Sequence, residues 1–399
     1  MRKIIQIKGH IIRDDILKQI DASCEQYNGS YQVLELNIGK KVDDISTATI
    51  ALEISDEGFT LILNELTNLG ISIPSTESPV LLKTSEKDKT VPDDFYSTTN
   101  HPTEVYLDGK WFKVQKQRMD GVLVVKNGEI ICTKLRDVKA GDAIVCGSEG
   151  VRIKTEAAEN DDHDFAFMVN EVSSERRVEI AVNQLAVEMK QIKEKNGKIV
   201  FVAGPVVIHT GGMVAFQDMI RKGFVSGVLS GNALAVHDIE RDLYGTSLGV
   251  NLDTGKVVKG GHKHHMRAIN AVNKSGSIAA AVADQTIKSG IMYELVKNNI
   301  PFVLAGSIRD DGPLPDTLMD LIQAQEAYAQ MIQDADMVIM LSTMLHSIGT
   351  GNMLPSWVKT VIVDINPAVV AKLVDRGSAQ AHGLVTDVGL FLTLLNQQL

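Results

Sequence analysis

Residues 334–366 carry the densest chemistry in this 399-residue chain. Asp334-Ala335-Asp336 precedes an apolar run at 337–341, followed by Ser342-Thr343 and Gly349-Thr350-Gly351-Asn352. A second apolar run at 361–363 then meets Asp364. This reads as two buried parallel strands, each ending where a nucleotide could sit. Glycines let backbone amides approach phosphate, and a carboxylate after the second strand can take ribose hydroxyls. The fingerprint departs from the usual one. Gly349-x-Gly351-x-x-Leu354 lacks the third glycine, and about 12 residues rather than ~20 separate Gly351 from Asp364. An ordinary glycine-rich loop fits these residues equally well.

Four further loops join this one. Gly204-Pro205-Val206-Val207-Ile208-His209-Thr210-Gly211-Gly212 follows an apolar run and opens a helix at Met213. Thr210, Gly211 and Gly212 can present amides to an anion, or simply form a tight connection. Asn232, His237, Asp238 and Glu240 fall within nine residues. Asp238 or Glu240 suits a cationic amine and His237 suits proton transfer near neutrality, while the bland alternative is an Asn232 helix cap beside solvated acids. Gly260-Gly261-His262-Lys263-His264-His265-Met266-Arg267 holds three of the ten histidines but lacks the cysteines or HExxH spacing that would complete a metal site. No metal is assigned, and a cationic loop or surface histidines remain open. Residues 305–316 set Arg309 beside Asp310 and Asp311 between glycines and prolines, for an anion or an internal pair. Earlier, Arg118 in Gln115-Lys116-Gln117-Arg118-Met119-Asp120-Gly121 is a candidate cation for a substrate carboxylate.

These groups need a scaffold, and the patterning divides it. Residues 1–82 read β-α-β-β-α-β, a split βαβ (ferredoxin-like) module whose last strand falls at 80–82. Residues 83–103 are polar and read as a linker. Residues 104–153 read as a small β-barrel or sandwich with hairpin turns at Asp108-Gly109 and Asn127-Gly128. Acidic residues at 154–163 mark a second boundary. From 164 to 399 long helical patterns alternate with short apolar runs, with helices expected at 178–195, 213–222, 278–288 and 317–333 and a short strand beginning at 223–226. That is the mark of a parallel sheet covered on both faces, in a Rossmann-like domain. The expected class is α/β.

Composition excludes several functions. A net charge of −10 argues against nucleic acid or an anionic membrane as the main partner. Three widely spaced cysteines form neither a disulfide framework nor a CxxC site. No targeting segment and no apolar run of membrane length is evident, so the cytoplasm is the expected location. An open sheet edge in the first module favours a homo-oligomer.

Taken together, GPVVIHTGG, GNALAVHDIE, GGHKHHMRAIN, AGSIRDDGPLPD, LSTMLHSIGTGNMLP, VDINPAVVAKLVDRGS and QKQRMDGVLVV resemble the LOR/SDH-like family. That family includes archaeal-type ornithine cyclodeaminases and the C-terminal half of cyanobacterial bifunctional arginine dihydrolase/ornithine cyclodeaminases. The resemblance covers essentially the whole chain, and the arginine-hydrolysing domain is expected to be absent. The late strands are also similar to the deoxyhypusine synthase-like variant of the dinucleotide fold. Its Trp-Gly-Lys element is only approximated by Trp357-Val358-Lys359, so spermidine transfer is not expected. The resemblance implies NAD-dependent conversion of L-ornithine to L-proline and ammonia, a lyase reaction of arginine and proline metabolism. NAD+ takes a hydride from the α-carbon, the δ-amine closes the ring, ammonia leaves, and the hydride returns.

Loop placement, rather than the family, then suggests roles. Arg118 takes the substrate carboxylate, Asp238 the amino groups, and His264 or His237 the protons. Thr210, Gly211, Gly212, Asn232, Ser342, Thr343, Gly349, Gly351, Asn352, Asp364 and Asp387 are the NAD candidates. Asp364 favours NAD over NADP because a carboxylate repels a 2′-phosphate. A saccharopine- or opine-type dehydrogenase, consuming or forming NADH stoichiometrically, and a non-catalytic amino-acid/NAD sensor are the alternatives.

Overall fold

The computed structural model describes residues 2–9, 11, 16–27, 29–39, 46–55, 58–59, 62, 79–153, 175–251, 255–256, 258, 260–310, 312–374 and 381–399. The chain divides into two compact units, Met1–Asp161 with Leu354–Ser356, and Asp162–Met353 with Trp357–Leu399.

In the first unit, β1 (Arg2–Gly9), α1 (Ile16–Gln26), β2 (Ser30–Asn37) and β3 (Ser46–Glu53) form a three-stranded sheet. Antiparallel β3 lies between β1 and β2, which is the split βαβ arrangement. Ile16, Ile20 and Cys24 recur at four-residue spacing on α1 and pack on Ile5, Ile7, Ile50 and Leu52. Each large side chain so buried contributes about 1.5–3 kcal/mol. Most of the second helix expected for this module lies outside the described residues.

The strand expected at 80–82 does not close this sheet. Strand β4 (Leu81–Thr84) pairs instead with β9 (Ala143–Cys146), and the Val80 N–H donates to the Tyr106 carbonyl at 3.1 Å. The β-rich region also contains β5 (Thr103–Leu107), β6 (Lys110–Lys113), β7 (Val122–Lys126), β8 (Glu129–Thr133) and β10 (Val151–Ile153). Its sheets are ordered β4-β9-β7-β8 and β10-β5-β6. Asn127 and Gly128 have φ of 52° and 79°, and Asp108 and Gly109 have 50° and 77°. Both pairs are two-residue turns matched to strand twist. Leu123 faces a core shared by both sheets, with Val105, Val114 and Val145. Val122 and Val124 point the other way, onto Ile144 and Val138.

Phe95 and Val91 cover that second face, Tyr96 packs on the first, and Thr98, Asn100 and His101 are buried. Residues 83–103, polar enough to read as a linker, are therefore a packed wrap. Their few apolar anchors are spaced too irregularly to show a period.

The second unit is a seven-stranded parallel sheet. It begins with α2 (Glu175–Glu194), β11 (Ile199–Ala203), α3 (Val206–His209), α4 (Met213–Arg221), β12 (Gly227–Gly231) and α5 (Asn232–Tyr244). A hairpin, β13 (Thr246–Ser247) and β14 (Val250–Asn251), precedes α6 (His264–Ser275), α7 (Ile278–Ala283) and α8 (Ile291–Lys297). Then come β15 (Phe302–Ala305), β16 (Thr317–Leu318), α9 (Leu321–Met331), β17 (Met337–Leu341) and α10 (Met344–Gly351). Last are β18 (Lys359–Asp364), α11 (Pro367–Val374), β19 (Ala381–Val385) and α12 (Val388–Gln398).

Strands β11 and β17 are buried at every position, as a sheet covered on both faces demands. Helices α2, α4 to α8 and α12 share one core with Phe201, Ile339 and Val361. Helices α9, α10 and α11 pack against strands as well. Three elements differ from the sequence reading. Thr317 and Leu318 are an edge strand rather than the start of a helix, because Asp320 caps α9 by accepting the Ile322 N–H at 2.8 Å. The alanine-rich helix stops at Ala283. The strand expected from 223 starts at Gly227. No helix among the described residues is long and apolar enough to cross a membrane.

Candidate functional site

The sheet order is β16-β15-β12-β11-β17-β18-β19. Strands run outward from β11 in one direction, then restart at β17 beside it and run the other way. A crevice therefore opens beyond the carboxyl ends of β11 and β17, where ligands of such sheets bind. Gly204 and Ser342 line it. The Gly204 N–H donates to the Leu341 carbonyl at 2.9 Å, and a Cβ on Gly204 would lie 2.4 Å from the Ser342 carbonyl oxygen. Only glycine lets the two strand ends approach this closely. Ser342 adopts φ 44°, and its N–H donates to the Val363 carbonyl at 2.9 Å. Its hydroxyl donates to Asp364 Oδ2 at 3.3 Å, and the Asn366 N–H donates to Asp364 Oδ1 at 2.8 Å. Asp364 thus sits fixed at the end of β18 with the lone pairs of a carboxylate to offer. Thr343 leads directly into α10.

Gly349 and Gly351 do not form the expected phosphate loop. They fall in the last turn of α10, with Asn352 just after it. Residues Met344 and Leu345, at its first turn, are the exposed ones near the strand end. The reading is corrected because α10 starts immediately after Thr343, which carries both glycines to its far end. Thr210 and Gly212 are likewise explained by packing, and Gly211 by its φ of 77° in the turn before α4. A Cβ on Gly212 would lie 2.8 Å from Leu392 Cδ1, and one on Gly389 would lie 2.2 Å from the Thr210 carbonyl oxygen. These glycines let α12 approach. Asp387 caps α12, accepting the Leu390 N–H at 2.9 Å.

On the other side of the crevice, Ser230 at the end of β12 donates to the Ala203 carbonyl at 2.6 Å. The Tyr328 hydroxyl donates to the Ser230 carbonyl at 2.6 Å and lies 3.1 Å from His346 Nδ1. A carbonyl only accepts, so the hydroxyl accepts from His346 Nδ1–H, leaving Nε2 as an acceptor. A Cβ on Gly231 would lie 2.7 Å from that Nε2. Burial holds the His346 imidazole below its usual range. Asn232 is a strut rather than a cap: its Oδ1 accepts from Leu314 N and Thr317 Oγ1, and its Nδ2 donates to Asp310 Oδ1 at 3.4 Å.

A histidine cluster lies on α3, α5 and α6. Leu248 and Gly249 turn the β13–β14 hairpin with φ of 52° and 74°. Their N–H groups donate to Glu240 at 3.1 and 2.9 Å, and the Thr246 hydroxyl donates to Glu240 Oε1 at 2.9 Å. The fully buried Glu240 thereby holds the hairpin. Ser247 then presents its hydroxyl 3.2 Å from both His209 Nδ1 and His237 Nδ1. Thr246 Oγ1 lies 2.8 Å from His264 Nδ1, whose ring stacks on Tyr244 at 4.6 Å. The His265 ring is 5.7 Å from that of His237, and its buried Nδ1 has no partner among the described residues.

Burial, then the neighbouring His237, hold the His209 and His265 imidazoles below their usual range. Burial opposes ionisation of Glu240, yet contact with His237 and the donors from the hairpin hold its carboxyl below the usual range. His237, Glu240 and His265 each bring a ligand atom within 4.8 Å of the others. Because three donors already engage Glu240, the set is better described as a hydrogen-bonded cluster than as a metal centre.

Asp238 is elsewhere. It is fully buried and accepts the N–H groups of Ile291 and Met292 at 2.8 and 2.7 Å, capping α8. A carboxylate so enclosed does not meet a substrate amine, and that expectation is corrected. On α5 the face toward α8 takes Asp238, while His237 and Glu240 face the hairpin. Arg118 belongs to the first unit, where its Nε donates to the Met119 carbonyl at 3.4 Å. Sequence reasoning missed His209, Ser247, His265, Tyr328 and His346. Only the Leu248-Gly249 turn signal could have drawn attention to the hairpin.

Residues 183–395 match the family described as arginine dihydrolase ArgZ-like, C-terminal, Rossmann fold. The chain belongs to this ArgZ-like family. Residues 102–182 match its C-terminal first region, and residues 2–101 the LOR/SDH bifunctional enzyme conserved region. An ornithine cyclodeaminase of Methanocaldococcus jannaschii is 51% identical over 99% of this chain and 95% of its own length. The apo structure of cyanobacterial ArgZ, an arginine dihydrolase, matches with TM-score 0.86 and 46% identity, over 100% of this chain and 58% of that one. The ternary complex of AgrE with ornithine and NAD+ matches with TM-score 0.55 and 48% identity, over 100% and 57%. The chain spans 58% of the length of the bifunctional arginine dihydrolase/ornithine cyclodeaminases of Nostoc and Synechocystis that it matches.

Proposed function

We propose that this chain is an NAD-dependent ornithine cyclodeaminase, converting L-ornithine to L-proline and ammonia with the hydride recycled inside the site. The observation that carries the reading is the crevice at the β11/β17 reversal. It has a glycine-permitted close approach at Gly204, Asp364 at the end of β18 and His346 against Gly231. These residues fit a dinucleotide: Asp364 would hold ribose hydroxyls, and the amides at the start of α10 would face phosphate. Relatives named ornithine cyclodeaminase over nearly their whole length, and the AgrE complex with ornithine and NAD+, support the substrate and cofactor.

Bound NAD+ supplies a hydride acceptor that returns the hydride within the same turnover. The chain's own groups handle protons. Ornithine's δ-ammonium must lose a proton before its nitrogen can attack, and the departing α-nitrogen must gain one. His237 is the group assigned to both transfers, with His265 beside it, His264 held against Thr246, and Glu240 offsetting the charge of one imidazolium. Glu240, rather than Asp238, fixes the polar side of the site. Arg118 stays the candidate for the substrate carboxylate, to be tested by the KM of Arg118→Lys.

An open polar hollow of about 240 Å³ on β1–β3, lined by Gln6, Glu35, Asn37, Thr47 and Thr49, has a lone carboxylate and no proton shuttle. It offers no chemistry for this reaction. The test is isotopic. Ornithine deuterated at Cα should give proline that retains the deuterium at C2. Washout to solvent, or transfer to recoverable cofactor, would favour a dehydrogenase instead.

A further inference from the structure

We infer that His209, Ser247 and His237 form a proton relay joining solvent to the interior of the site. This rests on the functional reading above and extends it to how the buried imidazole is recharged. His237 is 5% exposed, whereas His209 is exposed at the end of α3. One hydroxyl stands 3.2 Å from Nδ1 of each ring, and the rings are edge-on at 5.1 Å. A serine hydroxyl has one proton to donate and lone pairs to accept. It therefore donates to one imidazole while accepting from the other. A proton leaving Nδ1 of a protonated His209 passes to Ser247 Oγ as the Ser247 proton passes to His237 Nδ1. His209 ends neutral, Ser247 is unchanged and His237 carries the charge; the reverse path discharges it.

The serine's position is fixed rather than incidental. Glu240 holds both amides of the hairpin turn, and Gly249 lies against Gly261, where a Cβ would come 2.5 Å from the Gly261 carbonyl carbon. The His265 ring lies 5.7 Å from that of His237. In the relay, His237 exchanges protons with water through Ser247 and His209. Among the described residues, the charged and titratable groups facing this relay are Glu240 on α5, His264 and His265 on α6, and Asp310 after β15. Three imidazoles sharing one carboxylate favour one mobile proton.

The experiment compares wild type, Ser247→Ala and Ser247→Thr, with His209→Gln as a surface variant that leaves the core intact. Ornithine turnover and histidine 15N titration are followed on the full chain. Ser247→Ala and His209→Gln should lower kcat about 100-fold with KM within about threefold. Added imidazole should restore part of the rate, and Ser247→Thr should retain most of it. Removing the hydroxyl in Ser247→Ala should move the His209 titration away from its wild-type position. The relay is overturned if Ser247→Ala keeps kcat within twofold, or if the His209 titration is the same with and without the hydroxyl. It is also overturned if the chain takes up one zinc ion that His265→Gln abolishes, which would make the cluster a metal site. If wild type turns over no ornithine, the functional reading fails by itself and the titrations still decide the relay.

Discussion

Replacing Asp238 separates a structural carboxylate from a catalytic one. Its two oxygens accept the Ile291 and Met292 N–H groups at the first turn of α8, in a site with no exposure. Hydrogen bonds to a charged group contribute about 1.5–3 kcal/mol each, and an orphaned buried donor costs a comparable amount. Above pH 7, where the folded carboxyl is ionised, Asp238→Asn keeps one acceptor and turns its amide N–H₂ toward the other donor, so the expected loss there is about 2–4 kcal/mol. Urea unfolding should show this as a lower midpoint with unchanged slope.

The pH dependence follows from the same burial, which pushes the Asp238 carboxyl up to about 7 from 3.8. The folded state then holds a proton that the unfolded chain releases. Stability from this group is full below pH 4 and is lost as pH rises toward 7. Asp238→Asn should lack that slope, while kcat of its folded fraction stays within about threefold, against the 10²–10⁴ loss expected on removing a catalytic acid or base. A variant as stable as wild type but 100-fold slower would refute the capping account and return Asp238 to the active site.

Gly204→Ala should drive the ends of β11 and β17 apart, weakening NAD+ at least tenfold by calorimetry; equal affinity would move the cofactor away from this reversal. Asp364→Ala should also cost at least tenfold in NAD+ affinity, and unchanged binding would remove Asp364 from the ribose site. His382 on β19 is held down to about 4 by burial and then by Lys359. Its stabilisation is present above pH 6.5 and is lost as pH falls through 4, worth on the order of 3 kcal/mol. His382→Gln should flatten that acid limb of thermal unfolding, and an unaltered limb would rule His382 out as its source.

The parallel sheet was legible because β11, β17 and residues 361–363 of β18 are uninterrupted apolar runs, and the two hairpin turns because Asp-Gly and Asn-Gly demand positive φ. Asp364 could be placed from its position after such a run. What was not legible depends on facing direction and on long-range pairing. Asp238 and Glu240 are two residues apart and look equivalent in sequence, yet helical geometry sends one to α8 and the other to the hairpin. Gly349 and Gly351 resemble a phosphate loop until α10 is seen to begin at Met344. Val80 patterns like the end of the first module, but its N–H pairs with Tyr106. The link between His209 and His237 runs through Ser247, 38 residues from one and 10 from the other, and no local pattern announces it.

Incubating the purified chain with L-ornithine and substoichiometric NAD+, while following proline, ammonia and absorbance of reduced cofactor together, tests the central claim most directly. Proline and ammonia should appear in equal amounts over many turnovers per NAD+, with no reduced cofactor accumulating. Reduced cofactor formed in step with ornithine consumed, or no turnover by NAD+-bound protein, would contradict the account.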